Sequence, residues 1–222
     1  MGLLSADESM LQVFKQIAEV EVADDGLEYL SGTVRVEPIR KTSLNAGVRV
    51  HMTVQLGQMR IPLQVDIGLG DSLVPAPVSC PFPPLLDGAV PEVLCYPREL
   101  VIAEKLEAII KLSSENTRMK DFFDIWFLFT MFKIDSVLLA EAIQRTFHRR
   151  GTTVPVSRPL SFTPEFTQST AKIVQWNAFL KKANLTAHAP ELSKLGDEIW
   201  TFLEPVLQGP NRTWLDKKLP TA

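Results

Sequence analysis

Cysteine is scarce in this 222-residue chain: only Cys80 and Cys95 occur, on either side of a proline-rich stretch. Their spacing fits no metal-ligand pattern and two thiols make no disulfide framework, so free thiols in a reducing compartment are expected. Histidine is equally sparse. His51, His148 and His188 are too scattered for a metal site or a catalytic dyad, and exposed or core roles are expected of them. There is no apolar run long enough to span a bilayer and no basic leader ahead of an apolar core, which points to a cytoplasmic protein with no membrane partner. Charge of one sign is not in excess either. A net charge of −3 gives no global pull toward nucleic acid, so no DNA partner is expected and any other nucleic-acid contact must use a local patch. Walker loops, HExxH, GxSxG and paired CxxC motifs are all missing.

What is present reads as globular. An apolar fraction of 45% and a charged fraction of 22% fit one large domain or two modest ones with a real core. Ser5-x-x-Glu8 is a capping box, followed by Met10, Val13, Phe14 and Ile17 at helical spacing. Asp24-Asp25-Gly26 turns the chain, residues 33–39 alternate valines with charges, and residues 48–56 and 59–67 bracket Gly57 as a β-hairpin. Seven prolines between residues 75 and 97 predict an extended connector without regular structure. Helices are expected near 97–112, 118–131, 135–148, 164–181 and 190–207. The fold class is therefore α+β. The expected organisation is a small α/β piece at 1–74, a connector at 75–96, a helical domain at 97–208 and a flexible tail at 209–222.

Residues 96–125, YPRELVIAEKLEAIIKLSSENTRMKDFFDI, carry the most chemistry. Pro97 suits a first helical turn, and good helix formers follow it. Glu104, Glu107 and Lys111 fall on one side, with Glu107 and Lys111 as a surface pair. Lys105 stacks instead with Val101, Ala108 and Leu112 on an apolar arc. Its ammonium either snorkels from the rim of that arc into water or points into a cleft to meet a phosphate. A second helix is expected to begin at Asn116 or Thr117, both good N-caps. Its run of Phe122, Phe123, Ile125, Trp126, Phe127, Leu128 and Phe129 predicts deep burial. Asp121 and Asp124 share roughly one face. They either serve the helix N-terminus and pair locally with Arg118 or Lys120, or form with them the wall of an ionic active site.

Other charged groups have simpler explanations. Asp66, between Val65 and Ile67 at the end of the hairpin, either faces a ligand or initiates a turn, although Asp71 already serves the turn that follows. Glu19-Val20-Glu21 imitates an acid-x-acid metal pair but reads as surface charge. Arg145, His148, Arg149 and Arg150 cluster at a helix C-terminus, where positive charge suits the dipole; an RNA or partner contact is the alternative.

Taken together, the VDIGLGD segment with Asp66, the AEKL segment with Lys105 and the TRMKDFFDI segment with Arg118, Asp121 and Asp124 resemble the nucleotidyltransferase AbiEii/AbiGii toxin family. That family is a branch of the DNA polymerase β-like nucleotidyltransferase superfamily. The proline-rich spacer, Thr146-Phe147-x-Arg149-Arg150 and Trp176-x-x-Phe179 also look familial. The resemblance implies transfer of a nucleotide from an NTP, with a divalent metal such as Mg²⁺, onto an acceptor such as tRNA. It also implies a cognate antitoxin as partner in a toxin–antitoxin, abortive-infection setting. By the same resemblance Asp66 would face the metal, Lys105 would hold the triphosphate, Asp121 would orient the site, and Arg118 and Asp124 would support it. The family's first motif, a Gly-Ser turn followed by an Asp-x-Asp strand, does not occur in this sequence. The expectation is therefore a truncated nucleotidyltransferase-like sheet, mixed or antiparallel, that is inactive as written. The alternative is a non-catalytic remnant that binds an antitoxin or a complementing fragment.

Overall fold

A computed structural model describes residues 6–22, 24–39, 47–68, 73–84 and 90–208. Ser5 of the capping box, Asp71 and the tail at 209–222 lie outside these residues. The chain divides into two compact units, Met1–Ser72 and Leu73–Ala222.

In the first unit, helix α1 (Ala6–Ala18) packs on an antiparallel sheet of three strands in the order β1 (Leu27–Ile39), β2 (Gly47–Leu56), β3 (Met59–Gly68). The helix spacing of Leu11, Phe14 and Ala18 meets the strand spacing of Val34, Val50, Met52, Val65 and Ile67, and these side chains form the unit's small core. Entry into β1 is set by Asp24 and Asp25, whose carboxylates accept the Gly26 and Leu27 N–H groups at 2.9 Å. The β2–β3 turn is only Gly57-Gln58, and Gly57 sits at φ 58°, where a side chain would be strained. A bulge between Leu30 and Arg35 breaks the β1–β2 register, and the Thr33 hydroxyl fills the gap by accepting the Thr53 N–H at 2.9 Å.

The second unit opens with a feature unlike the expected connector. Strands β4 (Val78–Pro81) and β5 (Glu92–Cys95) pair antiparallel despite the prolines. The ribbon has only two strands, so Pro81 at the end of β4 interrupts no longer ladder. Cys80 and Cys95 are both free, on one face of this ribbon. Desolvation, then a hydrogen bond with Cys80, pushes the Cys95 thiol above its ordinary range.

Helices follow: α2 (Arg98–Leu112), a 3₁₀ turn at Ser113–Glu115, α3 (Met119–Met131), α4 (Ser136–Arg150), the short α5 (Pro164–Thr167), α6 (Thr170–Lys182) and α7 (Leu192–Gln208). Ile102, Leu106, Phe122, Ile125, Ile143, Phe147, Trp176, Ile199 and Leu203 form one buried core across them. The architecture is α+β, with antiparallel sheets and a helical second unit. Helix α3 is less buried than its composition predicts. Phe122 and Ile125 reach the core, whereas Phe127 is exposed and its ring stacks on Phe123 of the same helix. Among the described residues no helix is long and apolar enough to cross a membrane.

Candidate functional site

The buried face of α2 is Leu100, Ile102, Ala103, Leu106, Glu107 and Ile109. Lys105 leaves the helix beside that face and crosses to the start of α3. Its Nζ donates to Asp121 Oδ1 at 3.0 Å and lies 2.6 Å from Asp124 Oδ2. The ammonium does not snorkel freely into water but is held between two carboxylates. Burial, which lowers the pKa of Lys105, is outweighed by its hydrogen bonds to Asp124 and Asp121, so the side chain is held charged above its ordinary value.

Asp121 is almost wholly buried, with its side chain 4% exposed. The Arg118 Nε lies 2.6 Å from Asp121 Oδ2, an ion contact out of line for a hydrogen bond. Lys120 Nζ donates to Asp124 Oδ2 at 2.9 Å. Three cations thus surround two carboxylates near the start of α3, and Asp121, in its first turn, also meets the positive potential of the helix N-terminus. The local pairing expected of the two aspartates is present, and Lys105 of α2 is added to it. The helix itself starts later than Asn116. Arg118 occupies the N-cap position, and the Asn116 side chain instead accepts the Arg118 N–H at 2.8 Å, shaping the turn before it.

Asp66 belongs to the first unit, on the sheet face opposite the one that carries Val65 and Ile67. It stands directly across from Arg49, which donates through Nε at 2.7 Å and Nη2 at 2.9 Å in a bidentate pair. A cation there would have to displace a guanidinium. Among the described residues no group of three or more His, Cys, Asp or Glu is arranged to hold a metal ion. These residues therefore do not by themselves fit a divalent-metal pair, which needs several carboxylates free to face it.

Sequence reasoning missed a second ionic cluster. Glu107, expected on the surface, is 2% exposed. It accepts from Arg150 Nη1 at 2.8 Å and from the Thr152 hydroxyl, while Arg149 reaches Glu104 at 3.5 Å. Arg149 and Arg150 are thus turned inward to tie α4 to α2. Arg145 pairs with Glu141 on its own helix, and His148 is exposed. Glu19 and Glu21 are exposed, and His51 meets Glu37 at 3.2 Å. Lys172 on α6 was also missed, although its i, i+4 stacking with Trp176 marks it exactly as Val101 and Ala108 mark Lys105. No curated protein and no solved structure matches the chain. The family described as nucleotidyl transferase AbiEii toxin, type IV toxin–antitoxin system, matches residues 5–203, nearly the whole chain, and this protein is a member of that family.

Proposed function

We propose that the ionic cluster of Lys105, Arg118, Asp121 and Asp124 is the triphosphate-binding side of a nucleotidyltransferase-like toxin whose acceptor is tRNA. The carrying observation is the state of Lys105: a firmly charged ammonium with two of its three protons directed at Asp121 and Asp124. The two carboxylates hold it in place, and its third proton remains to be given to a phosphate oxygen. Arg118 adds a guanidinium whose side chain is 57% exposed and whose Nε faces Asp121. Asp121 orients both cations and Asp124 steadies Lys105. The division into residues 1–74, 75–96 and 97–208 is kept in this reading, with the cluster in the helical part.

Catalysis needs more than this cluster. No Gly-Ser turn followed by Asp-x-Asp occurs in the 222 residues, and Asp66 is engaged by Arg49. The 222 residues alone are accordingly proposed to bind an NTP without transferring it, Mg²⁺ being held only with carboxylates supplied in addition. The bidentate Arg49–Asp66 pair also favours a second reading, an interaction protein that engages its antitoxin without chemistry. The test is incubation of the purified chain, and of a version lengthened by the reading frame that precedes Met1, with labelled NTPs, Mg²⁺ and total tRNA. Label transferred by the lengthened version alone supports the first reading. Robust transfer by the 222 residues overturns their proposed inactivity, and no transfer or NTP binding by either protein leaves the interaction reading.

A further inference from the structure

Lys172 is a buried lysine without a carboxylate. It is 9% exposed, among Trp176 and Leu180 on the inner face of α6, and no acid pairs with it among the described residues. An ammonium withdrawn from water is costly unless its protons are used. Here one goes to the Asn116 carbonyl oxygen, 2.7 Å from Nζ, and the charge lies over the Phe166 ring, 4.7 Å from its centroid. Asn116 is itself fully buried. Its Oδ1 accepts the backbone N–H of Arg118 at 2.8 Å, and its Nδ2 has no partner among the described residues. Arg118 stands at φ −83°, ψ 65°, outside the helical region, and its carbonyl accepts the Asp121 N–H at 3.0 Å. A continuous set of bonds therefore runs from Lys172 through Asn116 to the residue that turns the chain into α3.

We propose that Lys172 is a positioning residue for the triphosphate cluster: by holding the Asn116 carbonyl it fixes the turn at 116–118 and so the placement of Arg118 and Asp121 against Lys105. The inference rests on reading that cluster as a phosphate site, and it concerns a residue on a different helix from all of the cluster's members. A lysine serving the core alone would not affect the Arg118 amide. A positioning lysine controls that amide through Asn116, and arginine can replace it because a guanidinium donates to the same carbonyl.

The test uses the full chain and its Lys172→Met, Lys172→Arg and Asn116→Ala variants. Two quantities are measured: hydrogen exchange of the Arg118 backbone amide by NMR, and affinity for inorganic tripolyphosphate by calorimetry. Lys172→Met is expected to speed Arg118 exchange about tenfold and to weaken tripolyphosphate binding about as much, what one lost hydrogen bond gives. Exchange within α7 should stay unchanged, and Lys172→Arg should regain both values. Asn116→Ala should speed Arg118 exchange with Lys172 still in place. Unchanged Arg118 exchange in Lys172→Met or in Asn116→Ala overturns the proposal. So does a Lys172→Met protein that unfolds together with Lys172→Arg, since that outcome assigns the lysine to the core alone. Absence of tripolyphosphate binding by the unmodified chain sinks the phosphate reading of the cluster, while the exchange measurements still decide whether Lys172 positions the turn.

Discussion

A lysine between two aspartates stabilises the fold before it binds anything. Replacing Lys105 with methionine leaves Asp121 buried with Arg118 as its remaining cation. A loss on the order of 3 kcal/mol follows, at the low end for a broken buried pair because that one partner is kept. Urea unfolding midpoints of the two proteins measure it. The pH dependence has a definite sign. The pKa of Lys105 is raised in the folded chain above its ordinary 10.5, so its contribution is complete below that pH and disappears as pH rises through the folded value. The stability gap between the unmodified chain and Lys105→Met should be constant from neutral pH to about 10 and should close above it; a gap that stays unchanged as pH rises well beyond the ordinary lysine value contradicts the assignment. Glu107 makes the parallel case. Arg150→Met strands a carboxylate that is 2% exposed, with Thr152 and a Lys111 ammonium 3.9 Å away as partial relief. It should cost about 3 kcal/mol, and adding Glu107→Leu should return much of that, because the buried charge is then gone. A double mutant no more stable than the single one would mean that Glu107 is not destabilised by losing Arg150.

At the scale of elements, α4 shows how far local rules reach. Asp135 accepts from the Val137 and Leu138 N–H groups at 2.8 and 3.0 Å, and Gly151 closes the helix at φ 63°. Asp135→Ala should therefore cost about 1 kcal/mol in thermal or urea unfolding; no loss at all would show that the Glu99 contact to the Asp135 N–H suffices to start the helix. Features of this kind were readable in advance. The hairpin of β2 and β3 follows from alternation around Gly57, and α2 follows from Pro97 and the helix formers behind it. The β4–β5 ribbon was not readable, because two four-residue strands with proline among them show too little alternation to outweigh a breaker. The burial of α3 was overread, since composition reveals how much of a helix is apolar but not how much neighbouring surface exists to cover it. For the site, helical spacing placed Lys105 apart from Glu107 and placed Asp121 near Asp124. It could not reveal that Lys105 bonds a residue 16 positions away, or that the polar side of α2 faces the end of α4. Those contacts depend on how helices pack, and packing has no short-range signature.

Across the whole molecule, stability is unevenly divided. The unit at Leu73–Ala222 has a core that continues from α2 to α7, with Phe122, Phe147, Phe162 and Trp176 fully or nearly fully buried. Among its described residues the unit at Met1–Ser72 buries Val34, Val48, Val50, Met52 and Val54 with a few partly covered neighbours, while Met59, Ile61 and Leu63 of β3 remain exposed. A unit of that size with so small a core cannot offset the conformational entropy of its own chain. Residues 73–222 expressed alone should thus give a helical circular-dichroism spectrum and one cooperative unfolding transition, and Lys105→Met should destabilise that fragment as much as it does the full chain. Residues 1–72 alone should show no cooperative transition. A sharp melt in the isolated 1–72 fragment would mean that its sheet and α1 suffice as a folding unit. A Lys105 effect found only in the full chain would mean that the ionic cluster owes its stability to residues outside its own helices.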